Sequence, residues 1–232
     1  MKYLSRFWPL YLLTAAVVIF SVVAGSSTVT VIAEHEPIRR QNIIVIDAGH
    51  GGEDGGATSC TGVLESQLNL EIALRLDALM HLLGYETKMI RTTDVSVYTE
   101  GKTIAAKKAS DLRNRVKTVN GTENGLLVSI HQNIFPDSQY SGAQVFYNKV
   151  DGSKELAQKL QSALVSALNP GSNRKIKPSD GVYLMEHIQR PGVLVECGFL
   201  SNPQEEGKLR TGEYQKKICC VIAATLSQYF TS

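Results

Sequence analysis

The sequence predicts a three-layer α/β/α sandwich built on a mostly parallel, mixed central sheet of about six strands. Three observations carry that expectation. Short continuous apolar runs such as Ile43-Ile44-Val45-Ile46, Leu126 to His131 and Val193 to Cys197 read as strands buried on both faces. Longer segments with apolar residues at helical spacing lie between them. The two kinds alternate along the chain, which is the pattern of parallel strands joined by crossover helices.

Each element follows in order. The first strand ends in the turn Asp47-Ala48-Gly49-His50-Gly51-Gly52. A helix then runs from about Glu65 to Leu83, with Leu68, Ile72, Leu76, Leu79 and Leu83 on one stripe and Gly84 as its stop. Thr87 to Arg91 reads as the second strand. Ser110 is placed to cap a helix reaching about Val119. Leu126 to His131 is the third strand and Gly142 to Tyr147 a shorter one. Ser153 is placed to cap a helix carrying Leu156, Leu160, Leu164 and Leu168, ended by Asn169-Pro170-Gly171. Gly181 to Met185 and Val193 to Cys197 read as two further strands. A last helix covers about Gly212 to Tyr229, with Tyr214, Ile218, Val221, Ile222, Leu226 and Tyr229 on its inner face.

Composition narrows the function. The 232 residues suffice for one catalytic domain and a short extension. Lys and Arg total 24 against 22 Asp and Glu, a net charge of +2. The only charges before residue 34 are Lys2 and Arg6, so the remainder is balanced. A nucleic-acid footprint is therefore excluded, and an anionic polymer is left to local contacts. The uncharged apolar run from about Phe7 to Ala33 is long enough to cross a bilayer. The basic residues before it and Glu34, His35 and Glu36 after it predict that the N-terminus stays inside. It reads as a signal peptide cut near Ala24 or Ala33, or as an uncleaved anchor, and its length favours the anchor. Residues 1–33 are thus the membrane anchor or signal peptide, 34–41 a polar linker, and 42–232 an extracytoplasmic catalytic domain. Cys60, Cys197, Cys219 and Cys220 form no CxxC pattern. Cys219 and Cys220 read as small buried hydrophobes, and pairing of Cys60 with Cys197 is left open.

In parallel α/β sheets, sites form at the carboxyl ends of strands. That rule selects His50 after the first strand, His131 at the end of the third and Glu196 in the last. Two imidazoles and a carboxylate make a catalytic zinc set that leaves a fourth position for water. His50 and His131 are the candidate nitrogen ligands, and Glu65, at the start of the first helix, is the candidate oxygen ligand. Glu196 lies in an apolar strand where an unpaired carboxylate is costly to bury. It is the candidate general base on water and proton donor to a leaving nitrogen. Taken singly, each histidine also reads as an ordinary structural residue, and no HExxH pattern is present. Asp47 is placed to orient a ligand imidazole. Asn133 and Arg174 are candidate substrate contacts, His187 a candidate border of the cleft, and His35 and His81 bystanders.

Four blocks add to this reading. They are Ile46-Asp47-Ala48-Gly49-His50-Gly51-Gly52, Gly62-Val63-Leu64-Glu65, Ser129-Ile130-His131-Gln132-Asn133, and Leu194-Val195-Glu196-Cys197-Gly198-Phe199-Leu200-Ser201-Asn202. In order and spacing they closely resemble the signature blocks of the zinc-dependent, type 3 N-acetylmuramoyl-L-alanine amidases. Arg91-Thr92-Thr93-Asp94 resembles a further block, and the likeness extends from about Asn42 to Tyr229. The resemblance implies that His50, Glu65 and His131 bind one Zn2+ per chain and that Glu196 is catalytic. It further implies hydrolysis of the peptidoglycan amide between the lactyl group of N-acetylmuramic acid and L-alanine. Two positions depart from the family pattern: Ala48 stands where proline is usual, and Ser66 where lysine is usual. Ser141 to Tyr147 and Gly181 to Met185 resemble the sporulation-specific branch. That implies a role in forming the muramic-δ-lactam of spore cortex, a muramic acid deacetylase as functional partner, and placement in the forespore intermembrane space. Two other readings stay open: a zinc peptidase acting within the stem peptide, and a non-catalytic peptidoglycan-binding protein.

Overall fold

The computed structural model describes residues 42–231. The segment 1–33, with its signal-or-anchor reading, and the linker 34–41, with His35, lie outside the described residues. Among the described residues no helix is long and apolar enough to cross a membrane.

Six strands form one sheet: β1 (Ile43–Ala48), β2 (Thr87–Met89), β3 (Gly125–Asn133), β4 (Gln144–Tyr147), β5 (Lys177–Pro178) and β6 (Gly192–Phe199). Their order is β2-β1-β3-β6-β4-β5. Every neighbouring pair is parallel except β4 with β6, so the sheet is mostly parallel and mixed. The helices are α1 (Glu65–Leu82), α2 (Ile104–Asn120), α3 (Ser153–Leu168), α4 (Tyr183–His187), α5 (Pro203–Leu209) and α6 (Gly212–Thr231).

Alternation along each central strand divides the core in two. Ile44, Ile46, Leu126, Val128, Ile130, Val193 and Val195 pack against Ile72 and Leu76 of α1, Leu160 of α3 and Ile222 of α6. Val45, Leu127 and Leu194 face the other way, onto Val119 of α2 and Leu184 and Met185 of α4. Both faces are covered, which is why these strands read as unbroken apolar runs. Each fully buried Leu or Ile contributes roughly 1.5–3 kcal/mol.

Several local expectations are corrected. α2 begins at Ile104, capped by Thr103, whose Oγ1 accepts from the Ala106 amide at 3.2 Å. Ser110 lies within that helix, and its buried hydroxyl accepts from the Thr99 and Glu100 amides, holding the preceding loop. The first turns of α2 carry Lys107 and Lys108 with no apolar stripe, so periodicity gave no sign of them. Ser153 is the first residue of α3, after Gly152 at φ 87°. Its hydroxyl donates to Asn148 and accepts from the Gly192 amide, tying the helix start to β6. Gly181 to Met185 is not a strand: Leu184 and Met185 are both buried, and consecutive buried side chains suit the helical turn of α4 better than an alternating pleat. α5 was not expected; Asn202 caps it by accepting from the Gln204 and Glu205 amides, with Pro203 in its first turn. All four cysteines are free thiols, so Cys60, exposed, and Cys197, buried, do not pair. Cys219 is buried as expected, but Cys220 is exposed, because successive helical residues point about 100° apart.

Thr103→Ala should therefore cost about 1 kcal/mol in denaturant unfolding. Ser110→Ala should leave the start of α2 in place and speed hydrogen exchange at the Thr99 and Glu100 amides.

Candidate active site at the carboxyl edge of the sheet

The site begins where β1 ends. His50 has φ 62°, a left-handed conformation that costs a non-glycine residue about 1–2 kcal/mol. Gly51 (φ 134°) and Gly52 (φ 59°) complete the turn. Two buried guanidiniums hold it. Arg91 donates to the carbonyls of Ala48 at 2.8 Å, Gly49 at 3.0 Å and Ser66 at 2.9 Å. Arg115 donates to the carbonyls of Ala48 at 3.0 Å and His50 at 2.7 Å, and is paired with Asp47 and Asp111.

Asp47 therefore does not orient an imidazole, as its position in the sequence suggested. It faces Arg115 and accepts from Ser129 at 2.6 Å. Burial alone would raise its proton affinity, but the Arg115 charge prevails and holds its carboxyl below the usual range. The group that orients His50 is Asp54, whose Oδ2 lies 3.0 Å from His50 Nδ1 and 3.2 Å from Lys108 Nζ.

Glu65 opens α1 and lies between the two histidines. Its Oε2 is 3.3 Å from His50 Nε2, and its Oε1 is 2.9 Å from His131 Nδ1. Three further N–H groups converge on it: the Ala57 amide on Oε2 at 3.0 Å, and the Gln132 amide and Asn69 side chain on Oε1 at 3.1 and 3.2 Å. Burial opposes ionisation, yet the two imidazoles hold this carboxylate far below its ordinary pKa. His50 is raised in turn: burial disfavours its cation, and the Glu65 and Asp54 carboxylates outweigh burial.

His131 of β3 and Glu196 of β6 are direct register partners, so their side chains stand together. Glu196 Oε2 is buried with no hydrogen-bond partner. Burial pushes its pKa up to about 7, with His131 pulling it down and Glu65 pushing it further up. The site walls are partly bare backbone. A Cβ on Gly49 would lie 2.2 Å from His131 Nε2, and one on Gly56 would lie 2.6 Å from Glu65 Oε2.

The four residues singled out by the sequence are thus brought together. One donor atom each from His50, Glu65 and His131 lies within 4.8 Å of the others. Two imidazole nitrogens and an ionised carboxylate oxygen, beside a sheltered unpaired carboxylate, fit the donor set of a catalytic zinc site. The other expected residues lie outside the His50-Glu65-His131 group. Asn133 ends β3, its carbonyl accepting from Leu200. Arg174 packs over the Phe199 ring at 4.4 Å and donates to Ser141 and Gln144. His187 stacks on Tyr183 and does not join the ligand group. His81 bonds Thr87. Ser66, the departure from lysine, is fully buried, and its hydroxyl has no hydrogen-bond partner among the described residues. Sequence reasoning missed Asp54, Asn69 and Arg115, and gave no role to Gln132 and Arg91, which it quoted within motif blocks. The available signal for Asn69 was a polar amide four residues after Glu65, hence on its face of the helix.

Fold and site define a hydrolytic α/β protein with its site at the carboxyl edge of a mixed sheet. The chain belongs to the N-acetylmuramoyl-L-alanine amidase family, which residues 44–228 match. It is 40% identical over 191 residues to the germination-specific N-acetylmuramoyl-L-alanine amidase of Bacillus subtilis, covering 82% of this chain and 80% of that protein. The CwlD amidase of Clostridioides difficile, solved in complex with the GerS lipoprotein, is 38% identical with a TM-score of 0.78, over 82% of this chain and 98% of that one. A crystal structure of an N-acetylmuramoyl-L-alanine amidase from Clostridium difficile 630 is 30% identical with a TM-score of 0.72, over 83% of this chain and 98% of that one.

Gly49→Ala should displace the His131 ring and lower activity by about 100-fold, with circular dichroism unchanged. Asp54→Ala should weaken metal retention by about 10–100-fold, read by competition with a chelator.

Proposed function

We propose that this protein hydrolyses the amide between N-acetylmuramic acid and L-alanine in peptidoglycan, using one zinc ion held by His50, Glu65 and His131. The observation that supports this most directly is the unpaired buried oxygen of Glu196 beside that ionised donor set. When bound, the ion supplies Lewis-acid polarisation of the amide carbonyl and acidifies water at the open position. Glu196 accepts a proton from the attacking water and delivers it to the departing nitrogen of L-alanine. Its raised pKa suits both tasks near neutrality, since the group can gain and lose a proton within one cycle. Asp54 fixes the His50 ring through Nδ1, leaving Nε2 turned toward Glu65. The N–H groups around Glu65 keep it an acceptor throughout.

The apolar run of residues 7–33 supports placement of this domain outside the cytoplasm, by anchor or by export. The germination-specific relative supports a role in germination, and the likeness of Ser141 to Tyr147 and Gly181 to Met185 to the sporulation-specific branch supports the finer reading, muramic-δ-lactam formation in spore cortex with a deacetylase acting on the freed muramic acid. The complex of the C. difficile relative with a lipoprotein supports a protein partner at the membrane surface.

The test is incubation with zinc and purified peptidoglycan, with mass spectrometry of the new ends. Free L-alanine amino termini on intact glycan strands are expected. Cleavage within the stem would establish the peptidase reading, and absence of products with zinc bound would point to a missing partner or a binding role. Chelation should abolish turnover and zinc should restore it.

The pH profile follows from Glu196, which must be ionised to accept a proton. Activity should fall as pH drops through its pKa, at or below about 7 because a bound dication favours the carboxylate. Glu196→Gln should keep zinc, lose that limb and lose about 10²–10⁴-fold in kcat. Stability should move oppositely. A folded pKa of about 7 against an ordinary 4.5 means the metal-free protein loses stability as pH rises between those values. Glu196→Gln should therefore raise the Tm of the metal-free protein at pH above 7, with the gain shrinking toward acid pH.

A further inference from the structure

Asn69 is a wholly buried amide on the face of α1 that packs on the sheet, in the same turn as the apolar Leu68 and Ile72. A buried amide without partners would be costly. Here every polar atom of Asn69 is used. Its Nδ2 lies 3.2 Å from the Gly49 carbonyl and 3.2 Å from Glu65 Oε1. Its Oδ1 accepts from Gln132 Nε2 at 3.1 Å.

One main-chain carbonyl settles the orientation of both amides. The Gly49 oxygen can only accept, so the Asn69 atom facing it is nitrogen. That same nitrogen reaches Glu65, so Oδ1 must turn to Gln132, and Gln132 must offer its NH2 group. Gln132 reaches α1 because side chains alternate along β3: His131 points to one face, and Gln132 to the face that α1 covers. The relay touches all three ligand-bearing segments. Gly49 precedes His50, Asn69 lies one helical turn after Glu65, and Gln132 follows His131, with its own amide also on Glu65 Oε1.

We infer that Asn69, locked by Gln132, is a positioning residue that orients the Glu65 carboxylate and joins the three ligand segments into one preorganised metal site. This rests on the zinc reading above. The residues act through Glu65 and Gly49 and touch no substrate.

The test measures zinc affinity by chelator competition, and the Tm with and without zinc, on the full chain. Asn69→Asp sets an acceptor against both Glu65 and the Gly49 carbonyl, and zinc affinity should fall by about 10–100-fold. Asn69→Leu removes the donor and should fall in the same direction. Gln132→Leu frees the Asn69 amide to turn and should give a smaller loss. Asn69→Leu combined with Gln132→Leu should be no worse than Asn69→Leu alone, because both changes break one chain of bonds. A merely structural role would lower the Tm of the metal-free protein and leave zinc affinity within about twofold, and that result in Asn69→Asp or Gln132→Leu overturns the inference. Gln132→Leu alters only the outer end of the relay, so it decides the matter if the Asn69 variants do not fold. Failure of the unmodified protein to bind zinc, or binding by His131→Ala as tight as its own, would overturn the zinc reading itself.

Discussion

The grip of Arg91 and Arg115 on the carbonyls of Ala48, Gly49 and His50 is the interaction from which the rest of the site is built. Buried cations are tolerated only when well paired. Arg115 meets this through Asp47 and Asp111, which raise its already high pKa against the opposing effect of burial. Arg91 meets it with a ring of carbonyl oxygens, and its pKa is lowered by burial and by the neighbouring Arg115 charge. The grip turns the chain sharply at the end of β1 and sustains the left-handed conformation of His50. Both guanidiniums share the Ala48 oxygen, which fixes the backbone at the position where the family pattern has proline.

Around this turn, three carboxylates are driven to different states by their surroundings. Asp47 is ionised against Arg115, and Glu65 is ionised between two imidazoles and three N–H donors. Glu196 has no donor on Oε2 and holds its proton to a much higher pH. Environments that push carboxylates apart in this way are how one site divides structural, ligating and proton-transfer duties.

The fold was legible because burial on both faces leaves a compositional trace. β1, β3 and β6 are unbroken apolar runs, and α1 and α3 carry clear stripes. His50, His131 and Glu196 stood out because polar residues at the ends of such runs demand a reason, and Glu65 because it opens the helix that follows the first strand's loop, at the same end of the sheet as His50. What stayed hidden was held by contacts distant in sequence. Asp54 orients His50 although Asp47 lies in β1 itself, closer to His50 in sequence, because strand alternation points Asp47 away toward Arg115 of α2. Asn69 and Gln132 looked like ordinary polar residues until α1 was laid on β3. Ser110 and Ser153 matched cap chemistry, yet one holds a loop and the other ties a helix to β6.

The strand order carries a further consequence, for the sequence of events in assembly. β6 is the last strand in the chain, yet it lies in the middle of the sheet, bonded to β3 on one side and β4 on the other. Chains emerge N-terminus first, so until residue 192 is made, β1, β2 and β3 can pair only among themselves, and β4 and β5 only with each other. Two open sheet edges wait for one strand, and open edges invite pairing with other chains. That strand also brings Glu196. In the mechanism proposed above Glu196 is the proton acceptor, so completion of the sheet and the onset of chemistry would be a single event.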